Sequence, residues 1–394
     1  MKGFTLVELL VAMAITLVVT AAALALARPA HDAFQVQPET ADLQQRARVG
    51  IDALQRDLLM AGAGMYAAGA VGPLHHMLAP VMPYRAFGGG SDAARGTFFR
   101  ADAISLVFVP STASQTTLGA PMLPGSLGIT VEHPATCPVA TVTQICGFAA
   151  GDQLLVFDDA SAWNVFTVDR VDAGASLTLR GLPPERGFLM AANVAEARAV
   201  TYSLRADPTS GVFQLVRADG GDPAQPLLDQ VVALEFRYFG DPQPPRVLDD
   251  TEMSPRVNYG PAPPPIDQPL TGWAAGENCT FALVDGTYQS RLAALAVSGP
   301  LVQLAPALLT DGPWCPDAAA RNRFDADLLR IRRVRFSLRV QTALESLRGP
   351  AGALFTRGGL ARAAGRYVPD LEIQLDVSPR NLNLGVDHRG SEDE

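Results

Sequence analysis

The sequence predicts an α+β fold, a long N-terminal helix laid over one face of an antiparallel β-sheet. Three observations predict it. Residues 4–27 carry a single charge, Glu8. Residues 39–61 return to an apolar residue every three or four positions, the spacing of one helix face. Several later segments alternate apolar and polar residues, the period of a strand with one covered face.

The apolar run comes first. As a helix, 24 residues rise about 36 Å, enough for a hydrocarbon core of ~30 Å. Ala, Leu and Met favour helix, and Arg28 and Pro29 end the run. In the second half, Leu43, Ala47, Gly50 or Ile51, Leu54, Leu58 and Ala61 form the apolar face, while Arg46, Arg48, Asp52, Gln55 and Arg56 fall largely elsewhere. Pro38, Glu39 and Thr40 supply a start and Gly62 and Gly64 a stop. Pro29 and Pro38 are expected to bend or interrupt the helix between the halves.

Residues 65–100, rich in Gly, Pro, Ala and His, read as loop. Strands are expected at 103–109, at 153–157 paired with 165–171, and at 176–179. Segments 200–204 and 212–217 flank a turn-rich loop and read as a hairpin. In 231–239, Val232, Leu234, Phe236 and Tyr238 should share one face, with Glu235 and Arg237 on the other. Val334, Phe336, Leu338 and Val340 alternate with Arg333, Arg335, Ser337 and Arg339. Leu371, Ile373, Leu375 and Val377 alternate with Glu372, Gln374 and Asp376. The N-terminal helix is the natural cover for these strands. A Pro-rich insertion spans about 240–325, and the acidic end HRGSEDE reads as a disordered tail.

Composition narrows the function. The net charge is −9, which disfavours a nucleic-acid binder relying on overall basicity, and no nucleic-acid partner is expected. Only one apolar run could span a bilayer, which excludes a multi-pass membrane protein. No G-x-S-x-G, H-E-x-x-H or P-loop occurs, and the five histidines lack a recognisable nucleophile context. The chain reads as a non-enzyme without a cofactor.

Glu8 is the informative residue. An ordinary signal peptide, for which Ala25 and Ala27 fit an A-x-A cleavage pattern, leaves an acid inside its apolar core, where a carboxylate is costly. A plain anchor leaves Glu8 equally unexplained. The stretch Gly3-Phe4-Thr5-Leu6-Val7-Glu8 resembles the processing site of type IV prepilins and pseudopilins. The resemblance implies cleavage after Gly3 by a prepilin peptidase, N-methylation of Phe4, and an acid at the fifth mature position, which here is Glu8. Cleavage leaves a cationic amine one helical turn from an anion. Helices packed with an axial stagger can then pair Glu8 with a neighbour's amine and so fix subunit register. With Lys2 before the span, the N-terminus is expected on the cytoplasmic side of the inner membrane and the remainder in the periplasm.

The phrase RVGIDALQRDLLMAGAG resembles the helix end of PilW-type minor pilins. The series VTYSL, GVFQLVR, LLDQVVALEFRYFG, IRRVRFSLRVQT and LEIQLDVSPRNL resembles strands shared by PilW-type minor pilins and GspJ-type minor pseudopilins. The resemblance implies a pilin-like fold: leader 1–3, transmembrane helix 4–28, amphipathic continuation 29–64 and a β-rich domain 65–394. It implies a subunit that primes pilus assembly near the tip, with other minor pilins and the major pilin as partners through the helix. A GspJ-like pseudopilin of a secretion system, or a tip adhesin or DNA-uptake receptor on a pilin stem, are the alternatives.

Four cysteines, Cys137, Cys146, Cys279 and Cys315, allow three pairings. The simplest is Cys137 with Cys146 and Cys279 with Cys315. No C-x-x-C spacing suggests zinc. The pair His75-His76 lies in a loop, and adjacent extended residues point apart, so no metal site is expected. Asp158-Asp159 and Asp249-Asp250 lack the spaced acids of a calcium loop. Arg330, Arg332, Arg333, Arg335 and Arg339 are the densest basic cluster. They are read as the solvated face of a strand, or as a contact for an acidic partner or DNA.

Overall fold

A computed structural model describes residues 5–65, 79–87, 98–110, 114–158, 163–184, 187–209, 211–240, 247–248, 255–256, 281–284, 287–290, 300–306, 309, 326–348 and 368–383. The Pro-rich insertion lies mostly outside the described residues, and His75, His76 and the acidic tail lie wholly outside them.

The N-terminal helix runs Leu6–Met60 as one 55-residue element. It passes through Pro29 and Pro38, so the expected interruption is absent and Pro38–Thr40 is helix interior rather than a start. A proline loses its own bond to the carbonyl four residues back and crowds that carbonyl, but the turns on either side keep their bonds and carry the helix past it. From Val36 onward the helix also packs on the β-body. Its apolar face is the expected one: Leu43, Ala47, Gly50, Ile51, Leu54, Leu58 and Ala61 are all buried. The stop is also as expected. Gly62 and Gly64 have φ of +77° and +70°, and the Gly62 amide donates to the Val107 carbonyl at 2.9 Å, tying the helix end to the adjoining strand. A side chain at Gly64 would sit 2.8 Å from the Val109 carbonyl oxygen.

The helix covers two antiparallel sheets. One has five strands in the order Val81–Met82, Ala103–Phe108, Arg198–Ala206, Phe213–Asp219, Gln225–Leu228. The expected hairpin is its centre, with Val200 opposite Asp219 and Ala206 opposite Phe213. The other has four strands in the order Val302–Gln303, Val231–Gly240, Ile331–Val340, Leu371–Val377. Here Leu234, Phe236 and Tyr238 are buried as expected, but Val232 is not. An irregularity between Val231 and Ala233 puts one extra residue in the ladder, so Val231 takes the core position and the alternation resets. Gly50 marks where the helix meets both sheets. A side chain there would reach Leu228 at 3.1 Å and Leu215 and Leu338 at 3.6 Å.

A third sheet is inserted between two strands that pair directly, Phe108 lying opposite Arg198. Its six strands run in the order Gln115–Thr117, Asn193–Glu196, Gln153–Phe157, Trp163–Asp172, Ser176–Arg180, Gly128–Thr130. The two edges then meet. Leu118 bridges Val131, the Glu132 amide donates to the Thr117 carbonyl at 2.8 Å, and the Gly119 amide to the Thr130 carbonyl at 2.9 Å. The sheet is therefore a closed barrel, which leaves no free edge. Met122, Ile129, Phe148, Leu154, Val156, Phe166, Val168 and Phe188 fill it. The alternate residues Leu155, Phe157, Trp163 and Val165 point outward and join the main core, where Trp163 meets Phe87 with ring centroids 5.5 Å apart. The expected strands at 153–157, 165–171 and 176–179 thus pair as anticipated, but they line this barrel rather than the helix-covered sheet.

Candidate assembly site and its anchorage

The first described residue, Thr5, is the N-cap of the helix. The Glu8 carboxylate accepts the Thr5 amide N–H and the Thr5 hydroxyl, both at 2.9 Å on Oε2, and the Glu8 amide donates to Thr5 Oγ1 at 3.3 Å. This is a reciprocal capping box, which satisfies two donors that a helix start leaves open. No role was expected of Thr5, although T-x-x-E before an apolar run is the signature of this cap. Glu8 is thus engaged within its own chain through one oxygen, and Oε1 accepts no bond among the described residues. Gly3 and Phe4 lie outside the described residues.

Behind this cap, Leu6–Ala25 has a mean hydropathy of 2.4 and no buried residue. It is long and apolar enough to cross a membrane, the one such helix among the described residues.

Residues 1–24 match the family model described as the prokaryotic N-terminal methylation motif. The N-terminus is therefore of prepilin type, and it continues without a break into the α+β arrangement expected from the sequence. No curated protein matches the chain. Among solved structures, the type IV-like pilin TTHA1219 from Thermus thermophilus is similar at 13% identity, over 59% of this chain and 87% of that one, with a TM-score of 0.16. A superposition that loose carries no argument.

The opposite end of the helix is held by a buried polar network. Asp57 accepts the Tyr202 hydroxyl at 2.6 Å and Arg217 Nε at 3.0 Å. Arg217 also donates to Asp219 and lies 5.9 Å from the Tyr202 ring centroid. Burial and the neighbouring Asp57 carboxylate push the Tyr202 phenol far above its ordinary value, so it remains a donor. Burial also raises Asp219, against the pull of Arg217. Asp57 belongs to the Arg-Asp pair of the helix-end phrase, and its burial was not legible from that phrase.

The Arg cluster is not one solvated face. Arg330, Arg332 and Arg339 are buried, and Arg339 pairs with buried Asp370. Arg335 makes a two-pronged bond to Asp376 at 2.9 and 2.8 Å. Arg333 and Arg335 lie over the Phe239 ring at 4.7 and 5.1 Å. The cause is local: the partner strand supplies Phe239 and the next strand Asp376, directly opposite in register. The reading of this cluster as one solvated strand face is therefore corrected.

Cys137 and Cys146 are joined by a disulfide, with Cα atoms 4.7 Å apart. It closes a loop in which Val139 and Val142 are exposed. Cys279 and Cys315 lie outside the described residues, as do Asp159, Asp249 and Asp250. His133 Nε2 is within 3.0 Å of the Pro138 carbonyl oxygen. Among the described residues, no three His, Cys, Asp or Glu side chains converge as a metal site would need.

Proposed function

We propose that this chain is a minor pilin of the PilW type, a structural subunit that primes type IV pilus assembly and sits near the tip. One observation carries the reading: a prepilin-type motif with Glu8 at its fifth mature position opens a fully exposed apolar helix that runs unbroken into a β-body. In this reading prepilin peptidase cuts after Gly3 and Phe4 is methylated. The helix holds the subunit in the inner membrane with residues 65–394 in the periplasm. It then packs against the helices of other minor pilins and the major pilin. The Oε1 of Glu8 takes a neighbour's amine while Oε2 keeps capping its own helix. Desolvating that carboxylate without a partner is costly, so the pairing fixes register. The subunit carries out no catalytic step. A GspJ-like role in a secretion pseudopilus uses the same helix chemistry.

A second reading is favoured by the inserted barrel, which adds to the stem a further unit, packed on the main core through Leu155, Phe157, Trp163 and Val165, of the kind a tip adhesin or DNA-uptake receptor needs. Its loops expose Leu123, Val139, Val142, Leu189 and Met190, and exposed apolar residues suit protein contact better than DNA.

The test is the mass of the mature N-terminal peptide from membranes, with detection of the chain in sheared pili. A peptide starting at methylated Phe4, in a chain recovered with pili, supports the proposal. A peptide starting at Met1 or Arg28 overturns it. Recovery with a secretion pseudopilus instead of pili selects the GspJ-like role.

A further inference from the structure

The apolar face of the helix is nearly symmetric about Leu54, and apolar contacts are non-directional. With the close approach at Gly50 they set its rotation coarsely. Three polar residues narrow it. Glu39 and Asp57 are separated by eighteen residues, about five full turns, and Arg46 lies between them within about 20° of the same line. All three sit on one flank of the buried face, and each reaches a different part of the β-body. Glu39 accepts the Thr342 hydroxyl, just past the end of strand Ile331–Val340. Arg46 Nη1 donates to the Asp229 carbonyl at 3.4 Å, in the connection between the two sheets. Asp57 takes Tyr202 and Arg217 on the five-stranded sheet. On the other flank Gln44 and Arg48 are exposed. The Asn381 bond to the Leu59 carbonyl, at 3.3 Å, is to backbone and tolerates any residue there.

We infer that Glu39, Arg46 and Asp57 form a polar seam that fixes the rotation and axial setting of the helix on its β-body, and that these are positioning residues for assembly. The inference rests on the proposed role of Glu8. Because the helix is one element from Leu6 to Met60, the seam determines which way the body faces once Glu8 is paired. Turning the helix breaks all three contacts together, since they share one line.

The experiment uses the full chain in nanodiscs, with paramagnetic labels on ketone-bearing unnatural residues at Val49 and Gln374, so the native cysteines are untouched. Both positions are exposed, one on the helix and one on the strand Leu371–Val377. The native seam should give one narrow distance. Glu39→Ala with Asp57→Ala should lose that single peak while circular dichroism keeps its helix and strand content. Its incorporation into pili should fall as well. An unchanged narrow distance overturns the inference. Should that variant fail to fold, Glu39→Ala with Arg46→Ala spares the buried acid and is read the same way. Glu8→Ala with the same labels should keep the narrow distance and lose incorporation. If it incorporates normally the Glu8 reading fails, and the distance result still decides whether the seam sets rotation.

Discussion

The Tyr202 phenol donates to the Asp57 carboxylate at 2.6 Å beneath the end of the helix, and Arg217 closes on the same oxygen. Fifty residues earlier in the chain the same helix presents an exposed, predominantly apolar surface in which Glu8 is the one charge. Removing one donor should therefore cost less than removing the acceptor. Tyr202→Phe should destabilise the body by about 1–3 kcal/mol. Asp57→Ala leaves the buried Tyr202 hydroxyl without its acceptor and takes one of two carboxylates from half-buried Arg217, and should cost more, about 3 kcal/mol. Denaturant unfolding of both variants checks the order, and equal costs would mean that the Arg217 bond adds nothing to the hold on Asp57.

Thr5 and Glu8 separate helix capping from subunit pairing. Thr5→Ala removes an N-cap worth about 1 kcal/mol but leaves the Glu8 carboxylate in place, so incorporation into filaments should persist. Glu8→Ala should leave the β-body folded and reduce incorporation sharply. If both variants incorporate equally poorly in a sheared-pilus assay, Glu8 acts only as a cap.

Gly50 is a packing limit. Gly50→Ala meets the flexible tip of Leu228 at 3.1 Å and gains up to about 1 kcal/mol of helix propensity, so its melting temperature should stay near the native one. Gly50→Leu must displace Leu228, Leu215 and Leu338 together, which should cost about 1–3 kcal/mol. A melting temperature for Gly50→Leu above that of Gly50→Ala would contradict this close approach.

Acid should act on the outer face of the four-stranded sheet through Asp376. The bonds from Arg335 hold its carboxyl below the ordinary value of 3.8. The sign follows: the native state favours the ionised form, so the contribution is present above the ordinary value and fades as pH falls through the lowered one. The group is exposed and screened, so the effect on stability is small. Carboxyl-carbon NMR should show Asp376 titrating below its ordinary value, and Arg335→Gln should return it there.

The helix face was legible because Leu43, Ala47, Leu54 and Leu58 keep a period that only a helix satisfies, and the helix strongly outlasts its prolines. The strand Ile331–Val340 was legible because Val334, Phe336, Leu338 and Val340 bury one face. The barrel was not. In Gln153–Phe157 all five residues are buried, so no alternation marks which face is which. Gln115–Thr117 and Gly128–Thr130 are three residues each, and the closure of Leu118 on Val131 is a contact between segments that carry no periodic signal. Glu8 stood out because a lone acid in an apolar run needs a reason, while the burial of Asp57 depended on two residues about 150 positions away that only the fold brings beneath it.

The connectivity of the barrel also sets how the chain bears load. Both chain crossings into it leave from neighbouring points, since Phe108 and Arg198 are already paired across the sheet. A pull along the helix passes into the five- and four-stranded sheets through the seam and the apolar face, and from there into strands hydrogen-bonded along their length. The barrel hangs to the side of that path. Tension that would shear the helix from its sheets leaves the barrel ladder unstretched, so its loops keep their shape while the rest of the subunit is under strain.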